Sequence, residues 1–421
     1  MSESFRGEED GEPIESGAIP VGPAPAASSS IDLFAQRHDG TFFEYEDSLD
    51  EEKFDQILKW AGQRKASDVR FQTDLPVMAD IGGKKVPITK RRIGQPELER
   101  IVRYVYGEHG PGMIIAGYDL DPAHEVRLED GLIYRYRVNF TGIRVPGGRG
   151  ISGTIRTLPT MPPRIEQLGI EADIVSNLRP RQGMVLVTGP TGSGKSTLLA
   201  AIVRHIAEKP DANEAILEYS SPIEYVYDGV ETPSSIIAQT EVGTFLRNFD
   251  DDSMSAQYAH AVRNSLRRKP DIILIGEARD KATIQASVEA ALTGHLLYST
   301  LHVIGVPETL RRIVQPFPGD EREAMGVDIM QSMRMIVTQL LFDRVGGGKV
   351  ACREYMIFDD RTRASFLSKP VNTWPAMARR LMQENRVPSS RMSNSAWKLL
   401  EQGLISRHTF REIVESERDK A

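Results

Sequence analysis

The chain has 421 residues, with 52 Lys and Arg against 59 Asp and Glu for a net charge of −7, and 40% hydrophobic and 26% charged residues. That length leaves room for two or three domains of about 150 residues, and the acidic balance gives no support to wholesale nucleic-acid binding. A single cysteine, Cys352, excludes an intramolecular disulfide and a cysteine-based zinc knuckle.

Residues 1–45 begin acidic, with Glu3, Glu8, Glu9, Asp10, Glu12 and Glu15, and run on through Pro20, Pro23, Pro25 and Ser28 to Ser30. Such a stretch is expected to be a disordered tail. It lacks the charged-then-apolar pattern of a signal peptide, and no apolar run reaches the ~20 residues of a membrane span, so a cytoplasmic location is expected.

From Leu49 the pattern is helical, with Phe54, Ile57, Leu58 and Ala61 on one face, and residues 67–71, 77–81 and 85–88 then read as short strands. A helix is expected over Gln95 to Tyr106, followed by strands at 124–128, 132–140 and 151–157 around turns at Asp130-Gly131 and Pro146-Gly147-Gly148. Residues 46–158 thus form a small α+β domain. Leu158-Pro159 to Pro162-Pro163 is stiff and extended, and 159–165 is taken as a linker. Beyond it, strands at 184–188, 215–219, 272–275 and 296–300 alternate with helices after residue 195, over 254–268 and over 282–292. Alternation of this kind predicts a mostly parallel α/β sheet over 166–345. The remainder, 346–421, is expected to be helical, most clearly at 394–402 and 409–417.

Gly183 to Thr188 is an apolar strand feeding Gly189, Pro190, Thr191, Gly192, Ser193, Gly194, Lys195, Ser196 and Thr197, the pattern G-x-x-x-x-G-K-[ST]. In such a loop the glycines let consecutive N–H groups converge on phosphate oxygens, a lysine neutralises the β/γ-phosphates, and a serine hydroxyl ligates Mg²⁺. The helix that follows adds its positive end. ATP and Mg²⁺ are therefore the expected ligands, with Lys195 on phosphate and Ser196 on the metal.

Asp271 to Gly276 is a second apolar strand, and it delivers Glu277 at its C-terminal end, where ligands of open α/β sheets bind. Glu277 is the candidate to orient or deprotonate the attacking water and to share in holding Mg²⁺; the alternative is an acid that caps the next helix. Gly276 stands where such strands usually carry an aspartate. Glu218 and Glu224 lie at and just beyond the end of the 215–219 strand, and Glu224 either joins the Mg²⁺ and water network or faces solvent. His295 and His302 lie seven residues apart across the 296–300 strand, without the further ligands a zinc site needs, and read as a pair sensing the γ-phosphate. Arg135, Arg137, Arg144, Arg149 and Arg156 crowd the strands of the first domain; a basic strand face is usually just solvated.

Four boxes in order, Gly189 to Thr197, Ser221-Pro222-Ile223-Glu224, Leu266 to Asp280, and Gly294-His295 through Thr300-Leu301-His302, resemble the secretion-ATPase superfamily of PilT/GspE type. Within it the resemblance is nearest to the DotB/TraJ-like ATPases of type IVB secretion or conjugative transfer. It implies a RecA-like P-loop ATPase domain preceded by a PAS-like α+β domain and followed by a helical C-terminus. It also implies a homohexamer, peripheral association with inner-membrane platform or coupling proteins, and nucleotide contacts from Arg137, Arg149 and Arg156. A four-cysteine zinc module, usual in assembly-type members, is excluded by the lone Cys352. PilT-like retraction, or a nucleotide-dependent scaffold with little hydrolysis, are the alternative functions; Ser220 and Ser221 stand where the family carries an acid, and Ser220 feeds the second. A DNA translocase finds no aromatic and basic strand-binding stripe.

Overall fold

The computed structural model describes residues 42–45, 47–128, 133–159, 161–251 and 253–418. The expected tail, save 42–45, and the expected turn at Asp130-Gly131 lie outside the described residues. Two compact units are distinguished, one of residues up to Pro122 with Val138–Arg156, the other of Ala123–Arg137 with Thr157 onward.

The first unit is α+β. Strands β1 (Asp68–Gln72), β2 (Met78–Ile81), β3 (Lys84–Pro87), β4 (Ala123–Arg127), β5 (Ile133–Val145) and β6 (Gly148–Leu158) form a sheet of order β3-β2-β1-β6-β5-β4, in which β4 and the start of β5 group with the second unit. Asp50 caps the helix Glu51–Gln63, accepting from the Lys53 N–H at 2.8 Å. That helix and Gln95–Tyr106 bury Phe54, Ile57, Leu58, Leu98, Ile101 and Val102. Phe54 meets Phe71 of β1 with ring centroids 5.0 Å apart.

The second unit is built on an eight-stranded sheet of β7 (Gly183–Thr188), β8 (Ala215–Ser220), β9 (Ile236–Glu241), β10 (Ile272–Ile275), β11 (Leu296–Leu301), β12 (Met333–Asp343), β13 (Lys349–Ile357) and β14 (Ser389–Ser390). Its order is β14-β13-β12-β7-β11-β10-β8-β9. All neighbours from β12 to β9 pair parallel, while β13 and β14 add on antiparallel. Every residue of β7 and β11 is buried, as a parallel sheet covered on both faces requires. Val185 and Val187 face the P-loop helix Lys195–Ala207 through Leu198, Ile202 and Ile206; Met184 and Leu186 join the opposite layer with Ile284, Leu310, Ile329 and Trp374.

The region from 346 is only partly helical. Lys349–Ile357 is a strand whose nine residues pair with β12, and it extends the nucleotide-binding sheet. Helices Asp360–Leu367, Trp374–Gln383, Met392–Glu401 and Arg407–Arg418 then supply the helical C-terminus. Periodicity misses β12 because its stretch 335–339 is buried on both faces and so shows no alternation, and because it follows the helix ending at Ser332 without an intervening turn.

Candidate functional site

β7 ends in the phosphate-type loop at the C-terminal edge of the parallel strands. At Gly189 φ is +142° and an added Cβ would stand 2.4 Å from the Gln339 carbonyl oxygen, so only glycine fits. Lys195 is buried, and its Nζ donates to the carbonyls of Gly189 at 2.9 Å and Pro190 at 2.8 Å. Burial pulls its pKa below the ordinary value, against the opposing pull of the Glu277 and Glu224 charges. Ser193 Oγ is buried with no hydrogen-bond partner. Thr197 shares a hydrogen bond of 2.9 Å with the Tyr225 hydroxyl.

A cleft of about 420 Å³ opens over this loop, lined among others by Lys195, Ser196, Glu218, Glu224, Glu277 and His302. β10 brings Glu277 there. Its Oε1 pairs with Arg279 Nε and lies 3.4 Å from His302 Nε2. His302 Nδ1 lies 3.5 Å from Thr191 Oγ1. Burial in the cleft lowers the His302 pKa, with Glu277 opposing and Lys195 and Arg279 adding to the fall, so a neutral imidazole faces the loop at pH 7. Helix 281–292 is capped by Asp280, which accepts from the Thr283 N–H at 2.9 Å. Capping therefore does not occupy Glu277. Gly276 has no room for an aspartate without local shifts: a Cβ would meet the Tyr258 hydroxyl at 3.2 Å and Ser220 Cα at 3.3 Å.

The two acids of the 215–224 stretch part company. Glu218 is buried, accepting from Ser220 Oγ and from Gln239 Nε2, each at 2.8 Å. Glu224 is exposed at the cleft. Burial raises the Glu218 pKa from its ordinary 4.5 despite these hydrogen bonds, so the folded state holds its proton more tightly than the unfolded chain. Wild-type stability then falls as pH climbs from 4.5 through the raised pKa. Glu218→Gln removes that loss, and its Tm relative to wild type is expected to grow by a few °C between pH 4.5 and 8. Thermal melts that differ equally at both pH values would show that no such proton is held.

His295 does not join His302. It stands just before β11 at the end opposite the loop, with its Nδ1 3.1 Å from the Ala290 carbonyl. A strand of six residues, Leu296–Leu301, separates the two rings by its whole length. Of the arginines, Arg149 donates to the Ile115 carbonyl at 3.0 Å and Arg156 pairs with Asp68 at 3.0 Å, both within the first unit, while Arg137 is exposed on β5. Arg135 is buried and donates to the Ile223 and Glu224 carbonyls at 2.8 and 3.2 Å, which settles the stretch that carries Glu224. No box pointed to that contact.

Residues 138–414 match the family of type II/IV secretion system proteins. The chain belongs to that family. It is 32% identical over 307 residues to the type IV pilus retraction ATPase PilT of Pseudomonas aeruginosa, covering 72% of this chain and 81% of PilT. Among solved structures it resembles the ATPase DotB of Legionella pneumophila, with TM-score 0.76 and 39% identity over 89% of this chain and 98% of DotB. It also resembles the pilus retraction motor PilT with bound ADP, with TM-score 0.73 and 28% identity over 87% and 97% of the two chains. These relatives share the mixed α/β fold with a helical C-terminus. No helix among the described residues is long and apolar enough to cross a membrane.

Proposed function

We propose that the chain is an ATP-hydrolysing motor, working as a homohexamer in the cytoplasm on inner-membrane platform or coupling proteins, that powers type IVB secretion or conjugative transfer. The observation that carries this reading is the convergence of Lys195, Ser196, Glu277 and His302 on one cleft at the C-terminal ends of parallel strands. Likeness to DotB over 98% of that chain supports the secretion branch.

The residues present suit a magnesium nucleotide. Gly192 and Gly194, both at positive φ, line the cleft beside Lys195, so the loop offers backbone N–H and ammonium donors to phosphate oxygens. No group of three or more His, Cys, Asp or Glu among the described residues could cage a metal, which suits Mg²⁺, an ion that keeps phosphate and water among its ligands. Ser196 would hold the ion with help from Glu277, and when bound it supplies charge neutralisation at the phosphates. Lys195 exchanges the Gly189 and Pro190 carbonyls for phosphate oxygens. Glu277 orients and deprotonates water, Glu224 adds charge at the cleft mouth, and neutral His302 hydrogen-bonds the γ-phosphate. Arg137, Arg149 and Arg156, and His295, would act on nucleotide or on the coupling of its state from elsewhere in the hexamer.

The sequestered Glu218 carboxyl favours a second reading, an assembly scaffold that binds nucleotide and hydrolyses little. Phosphate release decides between them. The motor predicts Mg²⁺-dependent turnover at least about 100-fold above Lys195→Ala, and a six-chain mass in native mass spectrometry. Turnover equal to that of Lys195→Ala establishes the scaffold. In cells, Lys195→Ala that stops twitching but spares cell-to-cell transfer would assign pilus retraction instead.

A further inference from the structure

We propose that Gln339 and Arg353 are positioning residues for the phosphate loop, forming a buried relay from Ser193 to the segment Leu168–Glu171 and the helix Met392–Glu401. The proposal rests on the nucleotide reading of the cleft and adds parts that no motif of that reading contains.

Gln339 of β12 is 3% exposed and stands directly opposite Arg353 of β13 in the antiparallel ladder. Its Nε2 donates to the Ser193 carbonyl at 2.8 Å, and its Oε1 accepts from Arg353 Nε at 2.8 Å. Gln339 also braces the loop by contact. Its side-chain Nε2 lies 2.9 Å from where a Cβ on Gly194 would be, and its backbone carbonyl oxygen crowds Gly189. The Ser193 carbonyl and the Gly194 N–H belong to one planar trans peptide, so they point in opposite directions. Fixing the carbonyl on Gln339 therefore turns the Gly194 N–H away from Gln339, and Gly194 lines the cleft.

Arg353 carries the link onward. At 1% exposure, its guanidinium donates to the carbonyls of Gly169 at 3.1 Å and Leu168 at 3.0 Å, and pairs with Glu171 Oε2 at 3.4 Å. Ser395 closes the circuit, donating to Glu171 Oε1 and accepting from the Arg353 N–H, both at 3.1 Å. A planar fork with fixed donors is suited to joining acceptors from several chain segments at once. An apolar residue could brace the hairpin, but it could not set the direction of a peptide in the loop.

Gln339→Glu separates loop positioning from stability. A carboxylate still accepts from Arg353 but cannot donate to the Ser193 carbonyl, whereas Gln339→Met loses both bonds. In the full-length protein, with a fluorescent ATP analogue and Mg²⁺, Gln339→Glu is expected to raise Kd and KM about tenfold with kcat within about twofold. Its nucleotide-free Tm should stay within about 2 °C of wild type while that of Gln339→Met falls further. Ser395→Ala, at the far end, should raise Kd about threefold. Wild-type Kd and KM in Gln339→Glu overturn the positioning role, as does a loss of affinity that only tracks a fall in Tm. An unchanged Kd in Ser395→Ala overturns the relay beyond Arg353. Lys195→Ala is the control for lost binding; failure of the wild-type protein itself to bind nucleotide overturns the functional reading, and the relay with it.

Discussion

Glu277→Gln is expected to lower ATP turnover by roughly two to four orders of magnitude while leaving nucleotide Kd within about twofold of wild type. Glutamine matches glutamate in shape and keeps an oxygen toward Arg279 and His302, so the cleft retains its packing. What it lacks is a site for the proton of the attacking water. Burial holds His302 neutral, and Lys195 and Arg279 lower its pKa further, so it is a weak base for that proton. Single-turnover phosphate release at saturating ATP, paired with nucleotide titration, measures the two effects separately. Turnover within threefold of wild type would remove Glu277 from the chemistry and move attention to exposed Glu224.

The parts of the site that could be read from sequence are those whose chemistry is local. Gly189 to Thr197 and the strand leading to Glu277 are contiguous runs in which each residue type answers to a neighbour a few positions away, and both lie where the periodicity placed them. The helices expected over 95–106 and 282–292 lie at Gln95–Tyr106 and Lys281–Leu292, although the cap of the second is Asp280 and not the Glu277 that the sequence offered. His295 and His302 look like a pair on the page, but an extended strand carries its two ends apart, and only His302 reaches the cleft. Gln339 left no signal. Its bond to Ser193 spans 146 residues, and it closes the stretch 335–339 of β12 that is buried on both faces, so neither spacing nor alternation marks it. Arg353 and Arg135 were hidden likewise, since a sequence shows a charge but not that backbone carbonyls surround it.

Arg353→Met is expected to destabilise the second unit by about 3–5 kcal/mol, a fall in Tm on the order of 10 °C. Methionine can fill much of the volume, so the loss comes chiefly from what remains behind. The Leu168 and Gly169 carbonyls and Gln339 Oε1 lose their donors, and Glu171, only 14% exposed, keeps its charge without a counterion. Burial already pulls the Arg353 pKa downward, a sign that the guanidinium sits at a desolvation cost that these acceptors offset. Adding Glu171→Gln to Arg353→Met removes the stranded charge while leaving an amide for Ser395, and should recover about half of the lost Tm. Thermal melts of the single and double variants give the coupling directly. Additive losses would mean that Glu171 is satisfied by solvent, and that the ion pair contributes no more than an exposed one, for which about 1 kcal/mol is the upper range.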